Sequence, residues 1–580
     1  MKYCNVIIDN KEITVPEGTT ILEAAKKINI NIPTLCYHPD LSIKANCRIC
    51  SVEVKGKNKL VAACSTPIWD GAKIVTNSKL VRDMQKGVLE LILANHPQDC
   101  LRCIRNGKCE LQKLCEIFHI SKSNLEDEVD ALEVDSSSPS IVRDHRKCIK
   151  CNRCLEVCQE SILSHAHRSI HYSITPAFER KLMDTLCVFC GQCSSVCPVG
   201  AIYEKDDTQK VWDAIHNKDK HVIVQIAPAV RVSIGDEFGM DAGKKVTGKL
   251  VAALRRIGFD KVFDTDFAAD LTIMEESSEL LYRIENGKTL PMITSCSPGW
   301  INFIEGNFEH LLKYLSTCKS PQQMFGAISK TYYPKIMNID PSSIFTVSIM
   351  PCTAKKYEAT RKEMNSSGFR DIDVVLTTRE IARMIKSSCI DFEGIQEEEF
   401  DTPLGISTGA GVIFGATGGV MEAALRSVYE IATGMALNNL EFIGVRGLEG
   451  IKEASINING NTIKVAVAHG LDNAKKILEM IDKGKCDYTF IEIMCCPGGC
   501  IGGGGQPIGT TLEIKDKRIQ SIYKVDEEMP IRKSHKNPAV LKLYEDFLGK
   551  PLGNLSHKLL HTNYNPKNKD YDFSQIYELN

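Results

Sequence analysis

Cys148-Ile149-Lys150-Cys151-Asn152-Arg153-Cys154-Leu155-Glu156-Val157-Cys158 and Cys187-Val188-Phe189-Cys190-Gly191-Gln192-Cys193-Ser194-Ser195-Val196-Cys197-Pro198 repeat one spacing, C-x2-C-x2-C-x3-C. Two such runs hold a pair of [4Fe–4S] clusters, because the fourth cysteine of each run ligates the other run's cluster. By that crossing, one cluster takes Cys148, Cys151, Cys154 and Cys197, and the other takes Cys187, Cys190, Cys193 and Cys158. A zinc site closes with four ligands and has no use for the doubled pattern. The module carries electrons.

Upstream, Cys36-x10-Cys47-x2-Cys50-x13-Cys64 sets a close pair between two remote cysteines. This layout resembles the loop ligation of a plant-type [2Fe–2S] ferredoxin, with a longer first gap than the common plant form; zinc is the alternative. Residues 3–8 and 12–15 read as a hairpin and Pro16-Glu17-Gly18 as a turn, and Thr20 caps a helix to about Ile28. Residues 80–94 form an apolar-periodic helix through Leu80, Met84, Val88, Leu91 and Ile92. It leads into His96-x3-Cys100-x2-Cys103-x5-Cys109. One imidazole with three thiolates holds zinc or an Fe–S cluster; between two Fe–S modules, a His/Cys3 [4Fe–4S] cluster is the expectation. Residues 121–140, with Ser121, Ser123, Glu126, Asp127, Glu128 and Ser136 to Pro139, are polar and read as a linker.

The chain's 580 residues allow several domains, and 43% hydrophobic with 25% charged residues is ordinary for a soluble protein. A net charge of −2 gives no case for nucleic-acid or bulk anionic-membrane partners. No apolar run approaches the roughly eighteen residues of a membrane span. Met1 to Asp9 reads as a strand and not as a leader, and paired arginines are missing there. Twenty-five cysteines in close clusters point to metal binding in a reducing compartment, so a cytoplasmic location is expected.

From residue 211 the pattern alternates strands and helices, with buried strands expected at His221–Ile226, Ile344–Met350, Ile372–Leu376, Lys464–Ala468 and Tyr488–Met494. That is an α/β arrangement with largely parallel sheets, in which ligands gather at the carboxyl ends of strands. Three strand ends carry cysteine: Thr294-Ser295-Cys296-Ser297-Pro298-Gly299-Trp300, Met350-Pro351-Cys352-Thr353-Ala354-Lys355, and Met494-Cys495-Cys496-Pro497-Gly498-Gly499-Cys500. The third runs on into Gly502 to Gly505, where backbone is expected to approach a bulky inorganic group closely. Cys4, Cys115, Cys389 and Cys486 have no partner at ligand spacing and read as buried apolar thiols. His535, His557 and His561 read as surface or packing residues.

These three loops closely resemble the signature segments of [FeFe]-hydrogenases, and the resemblance extends over essentially the whole chain. The module order resembles the large monomeric clostridial form. It implies ferredoxin-like Fe–S modules followed by an α/β H-cluster domain with largely parallel sheets. The domains would be 1–79 ([2Fe–2S]), 80–140 (His/Cys3 cluster and linker), 141–210 (paired clusters) and 211–580 (H-cluster, with a wrapping C-terminal segment). It also implies one [2Fe–2S], three accessory [4Fe–4S] clusters and an H-cluster. The last is a [4Fe–4S] cubane bridged through cysteine to a two-iron centre with CO, cyanide and azadithiolate. By resemblance Cys500 is the bridging thiolate, Cys352 and Cys496 hold the cubane, and Lys355 hydrogen-bonds a cyanide. Ala227, Pro228, Gln322, Met350, Phe414 and Met494 match positions lining the two-iron pocket.

One departure matters. The family's first signature usually carries two adjacent cysteines, a proton relay and then a cubane ligand; here they are Cys296 and Ser297. Ser297 could ligate as an alkoxide, although thiolate suits Fe–S iron far better. Cys296 could shift to ligate, or a spare thiol such as Cys318 or Cys495 could supply the bond. The family's proton path would run from Cys296 through Glu276 and Ser316 to Glu279 and Arg283 at the surface. Glu276, Glu279 and Arg283 share one face of a helix. As bare residues the two glutamates read as a solvated face; the resemblance reverses that. A recruited Cys296 would cost the path its first member.

The activity implied is reversible reduction of protons to H2, with electrons from ferredoxin or flavodoxin and maturation proteins installing the two-iron centre. The chain is expected to be a monomer that binds neither nucleic acid nor membrane. The alternatives are the catalytic subunit of an NAD(P)-linked complex, which needs a separate flavin subunit because no dinucleotide fingerprint is convincing here, and a non-catalytic H2 sensor.

Overall fold

The computed structural model describes residues 2–120, 133–437 and 439–567. Contacts divide it into two compact units, Met1–Thr185 with Gln192–Tyr203, and Leu186–Gly191 with Glu204–Asn580.

In the first unit, β1 (Tyr3–Ile8) and β2 (Lys11–Pro16) pair antiparallel, as the alternation predicts. Helix α1 (Ile21–Lys27) opens on a capping box: the Glu23 N–H donates to the Thr20 hydroxyl at 3.2 Å, and the Thr20 N–H donates to the Glu23 carboxylate at 2.9 Å. With β3 (Ser51–Val54), β4 (Val61–Ala62) and β5 (Lys73–Val75), one sheet forms in the order β2-β1-β5-β3-β4. Helix α2 (Lys79–Leu93) is present, but the expected apolar face is wrong. Val81, Gln85, Leu89 and Leu93 are buried, whereas Leu80, Met84 and Leu91 are 59%, 40% and 63% exposed. The reason is Gln85, a polar residue in the core stripe whose amide donates to the Ser51 carbonyl at 3.3 Å and ties the helix to β3.

Residues 121–132 of the expected linker, including Ser121, Ser123, Glu126, Asp127 and Glu128, lie outside the described residues. Its end is not a linker. Asp135 and Arg143 exchange both backbone hydrogen bonds at 2.9 Å, and Ser138 is buried with its hydroxyl accepting the Ser140 N–H at 3.1 Å.

The second unit holds two four-stranded sheets. One contains β6 (His221–Ile226), β7 (Lys261–Asp264), β9 (Ile344–Met350) and β10 (Val374–Thr377), all parallel, in the order β7-β6-β9-β10. The other contains β8 (Met292–Ile293), β11 (Ile451–Ile458), β12 (Asn461–His469) and β13 (Phe490–Met494), in the order β8-β13-β12-β11. It is parallel except for the β11–β12 hairpin. Strands covered on both faces read as continuous Val/Ile runs, and β6, β9 and β13 do so. The two-residue β8, the short β7 and the edge strand β11 gave no such run and were not expected.

Helices α3 (Thr265–Glu285), α4 (Pro298–Asn307), α5 (Pro321–Ser329), α6 (Ala354–Thr360), α7 (Gly419–Thr433) and α8 (Leu512–Glu528) connect and cover the strands. Helix α3 is buried on nearly every side, packed against α5 and α7. Part of its cover is the C-terminal segment, where the imidazole of buried His561 meets Glu275 at 3.1 Å and Thr317 at 2.8 Å. His535 likewise bonds Ser427 and Glu430, so both histidines are packing residues; residues 568–580 lie outside the described residues.

Arg426 on α7 is fully buried and joins three segments. Its guanidinium donates twice to Asp526 of α8 at 2.9 Å and once to Glu422 at 2.6 Å. Arg446 and Arg532 also donate to these carboxylates. Removing one partner of a buried network strands the other charges. Arg426→Ala is therefore expected to destabilise this unit by about 3 kcal/mol, the low end for a broken buried pair because Arg446 and Arg532 remain. Thermal unfolding monitored by circular dichroism checks this; an unchanged midpoint contradicts it.

Candidate metal centre

Strands of both four-stranded sheets deliver their carboxyl ends to one cavity. After β8 the chain turns through Thr294 to Ser297, and Pro298 opens α4. After β9 come Pro351, Cys352 and Thr353 ahead of α6, and after β13 come Cys495 to Cys500. The loops meet around one cavity, lined by Cys296, Ser297, Cys352, Cys495, Cys496 and Cys500. Its remaining wall is largely apolar and includes Ala227, Pro228, Met350, Phe414 and Met494, with Gln322 and Lys355 as polar members.

The donor set fits an iron–sulfur group. Burial raises the thiols of Cys296 and Cys352 well above the usual cysteine range and Cys500 to about 12, with neighbouring charge adding to the shift. A converging set of soft donors that desolvation keeps protonated is completed by a cation, which replaces the S–H protons. The buried Gln322 carbonyl oxygen has no hydrogen-bond partner, and the Gln322 amide donates to Glu358 at 3.0 Å.

Glu358 escaped the sequence reading. It accepts from Lys355 at 2.9 Å, from Ser320 at 3.0 Å and from Gln322, and so fixes two cavity side chains at once. Its signal was its position three residues after Lys355 on one helical face. Lys355 also donates to the Cys296 carbonyl at 3.1 Å, tying the first loop to the second.

The glycine tail reaches the cavity and also packs closely against protein. Gly503 lines the cavity, but a Cβ there would meet the Pro351 carbonyl oxygen at 2.2 Å. A Cβ on Gly504 would meet the Cys190 carbonyl oxygen at 2.1 Å, and one on Gly505 would meet the Thr377 side chain at 2.9 Å. The missing side chains let the third loop lie against protein backbone, and the cavity is shaped as a result.

Beside the cavity, α3 carries Glu276, Glu279 and Arg283. All three are buried, so the glutamates are no solvated face and Arg283, expected at the surface, is only 8% exposed. Its guanidinium is held inside by Glu279 at 2.6 Å and the Leu315 carbonyl at 2.6 Å. Ser316 donates to Glu279 at 3.1 Å and also favours the ionised form of Glu276. Burial, then the Glu279 charge, raises Glu276 to about 8, and one of its oxygens has no partner. The Glu276 charge raises the Cys296 thiol, while the Lys355 charge lowers it by less. Cys318 lies away from the cavity, its thiol 3.8 Å from Glu279.

The first unit gathers other thiols. The Cys50 and Cys64 sulfurs are 3.4 Å apart, and Cys36 pairs with Cys47, a hydrogen bond that lowers Cys36 to about 6. Cys148, Cys151, Cys154 and Cys197 line one cavity, the grouping that the crossing rule gives. His96, Cys100, Cys103 and Cys109 line another, where the buried His96 Nδ1 has no partner, as a metal ligand requires. A Cβ on Gly200 would meet the Cys103 sulfur at 2.6 Å. Cys115 faces the adjoining space beside His96, and Cys389 is exposed, so neither is the buried apolar thiol expected.

Comparison with known proteins follows the same lines. Residues 220–504 match the C-terminal domain of the iron only hydrogenase large subunit, and 512–567 match the iron hydrogenase small subunit. Residues 2–79 match a 2Fe-2S iron-sulfur cluster binding domain, 85–124 the NADH-ubiquinone oxidoreductase-G iron-sulfur binding region, and 147–201 a 4Fe-4S dicluster domain. An NADP-reducing hydrogenase subunit of Solidesulfovibrio fructosivorans is 50% identical, covering 97% of this chain and 99% of the relative. Iron hydrogenase 1 of Clostridium pasteurianum is 44% identical over 96% and 99%. A solved [FeFe]-hydrogenase from Chlamydomonas reinhardtii superposes with a TM-score of 0.57 at 42% identity, over 62% of this chain and 99% of that one.

The shared cavity generates a test of the crossing. Cys197→Ala is expected to lower bound iron by about four atoms per chain, one [4Fe–4S] cluster. Cys148→Ala is expected to lower it equally, and the double variant no further. Additive losses measured by iron assay would contradict a shared cluster.

Proposed function

The chain belongs to the iron-only ([FeFe]) hydrogenase family, and on that premise we propose that it catalyses 2H⁺ + 2e⁻ ⇌ H2 at an H-cluster held in the thiol-lined cavity. The observation that carries the reading is the thiol-lined cavity, whose Cys296 feels the charge of buried Glu276, with Ser316 and Glu279 behind it, so that iron ligands and a proton supply lie close together. Cys352 and Cys496 would hold the cubane, with Cys500 bridging to the two-iron centre. When bound, that group supplies the redox and bond-forming chemistry.

The chain's own residues do the rest. The Lys355 ammonium, steadied by Glu358, would donate to an anionic cyanide, the stronger kind of hydrogen bond. Met350, Phe414, Met494, Ala227 and Pro228 exclude water, and Gln322 offers a free carbonyl oxygen. Cys296 would pass protons at the cavity wall, refilled by Glu276. A carboxyl lifted to about 8 holds its proton at neutral pH and releases it without a large penalty. Ser316 and Glu279 would refill Glu276, with Arg283 holding Glu279 in line.

Electrons would enter through one [2Fe–2S] and three accessory [4Fe–4S] clusters, with domain limits at 1–79, 80–140, 141–210 and 211–580. Ferredoxin or flavodoxin is the proposed carrier. None of the 25 cysteines is in a disulfide, which suits a cytoplasmic setting, and no described helix is long and apolar enough to cross a membrane. A second reading, supply of electrons to NADP through partner subunits, is favoured by the match to an NADP-reducing hydrogenase subunit. Copurification of a flavin-bearing subunit would select it.

The test is H2 evolution from reduced methyl viologen after loading the reconstituted chain with a synthetic two-iron precursor, with infrared spectra in the CO and cyanide region. Turnover with those bands is expected. Bands without turnover would point to an H2 sensor. Glu276→Gln is expected to keep the bands and lose about 10²- to 10⁴-fold in rate, the usual scale of a lost proton-transfer group. In the unsubstituted chain, evolution should fall as pH rises through about 8, where Glu276 ionises and no longer carries a proton to give. A Glu276→Gln variant of full activity would contradict the route.

A further inference from the structure

Ser297 stands where the family places a cysteine, which leaves the cubane one protein thiolate short. The third loop carries a cysteine in excess, Cys495 directly before Cys496. In a strand, adjacent side chains point to opposite faces, but the chain bends after Met494 and both thiols line the same cavity. The Cys495 sulfur lies beside the sulfurs of Cys496 and Cys190. It also abuts the first loop: the Cys495 N–H donates to the Ser297 hydroxyl at 3.2 Å, and a Cβ on Gly299 would come within 2.7 Å of the Cys495 sulfur. Ser297, Gly299 and Cys495 are thus one packed unit. The serine anchors the third loop's backbone, and the glycine leaves the room that the thiol fills.

The other donors are less suited. Cys296 faces Glu276, Lys355 and Cys500, on the proton-relay side. Cys318 lies outside the cavity, against Glu279. A serine must become an alkoxide to match a thiolate, and the softer sulfur is the better ligand for Fe–S iron.

We propose that Cys495 supplies the fourth protein thiolate of the cubane, in the place that Ser297 leaves without sulfur. This rests on the reading that Cys352, Cys496 and Cys500 hold the same cubane. On ligation the Cys495 S–H bond breaks, its proton passes to solvent, and an S–Fe bond forms with no change in electron count. Cys296 then stays free to relay protons, so ligation and proton supply do not compete for one thiol.

The test uses the full chain reconstituted with iron and sulfide, without the two-iron precursor, and reads iron, acid-labile sulfide and Mössbauer spectra. Cys495→Ala is expected to lose about four irons per chain, one cubane. Ser297→Ala should lose none, and Ser297→Cys in the Cys495→Ala background should restore them. Mass spectrometry after iodoacetamide should find Cys495 protected in the loaded chain and alkylated once iron is chelated. Full iron in Cys495→Ala, or iron loss in Ser297→Ala, would overturn the assignment, as would failure of Ser297→Cys to rescue. Cys352→Ala separates the two levels. If it too loses no iron, the cavity holds no cubane and the functional reading fails. If it loses iron while Cys495→Ala does not, only the Cys495 assignment fails.

Discussion

A charge taken out of water must find a partner, and that constraint orders the second unit. Where a buried ionisable group has a structural role, its counter-charge is beside it: Arg426 with Glu422 and Asp526, Lys319 with Asp371 at 2.7 Å, Lys356 with Asp207 and Glu380, Arg231 with Asp264 and Asp266. The thiols of Cys296, Cys352 and Cys500 have no comparable answer within the protein, because Lys355 is already engaged by Glu358. Burial without full compensation keeps them protonated. In the proposed function an iron–sulfur group would replace the protons of Cys352 and Cys500, while Cys296 keeps its own.

The same constraint governs the helix proposed to carry protons. Helix α3 buries Phe267, Ala268, Leu271 and Ile273 like any central helix, yet also buries Glu275, Glu276 and Glu279. Glu279 is compensated by Arg283, and Glu275 accepts from Leu552 N–H at 2.9 Å and bonds the Tyr544 hydroxyl at 2.5 Å. Glu276 has one carboxylate oxygen without a partner, and burial with the Glu279 charge raises it to about 8. Packing this helix between α5 and α7 therefore sets the proton affinity of Glu276.

Much of this was legible in the chain. The doubled cysteine spacing carries its own ligand logic, and the apolar runs before Cys352 and Cys496 place each thiol at a strand's carboxyl end; that two separate sheets bring these ends to one cavity is a tertiary fact that no run encodes. What escaped depends on facing and on third partners. Gln85 sits in the core stripe of α2 because a carbonyl of β3 receives its amide, which no apolar periodicity encodes. Glu358 is an ordinary helical glutamate until Lys355, Ser320 and Gln322 converge on it. Arg283 looks like a surface residue at a helix end, but the 309–317 segment folds over it and offers carbonyls. The glycines after Cys500 announce close approach without saying to what, and it is backbone they admit.

The most direct measurement is an anomalous difference map at the iron absorption edge from crystals of the reconstituted full-length chain. The account predicts a compact group of iron peaks inside the cavity bounded by Cys352, Cys496 and Cys500, in addition to the peaks of the N-terminal modules. Iron in the N-terminal modules alone, with that cavity free of anomalous signal in a chain competent to bind iron elsewhere, would contradict it.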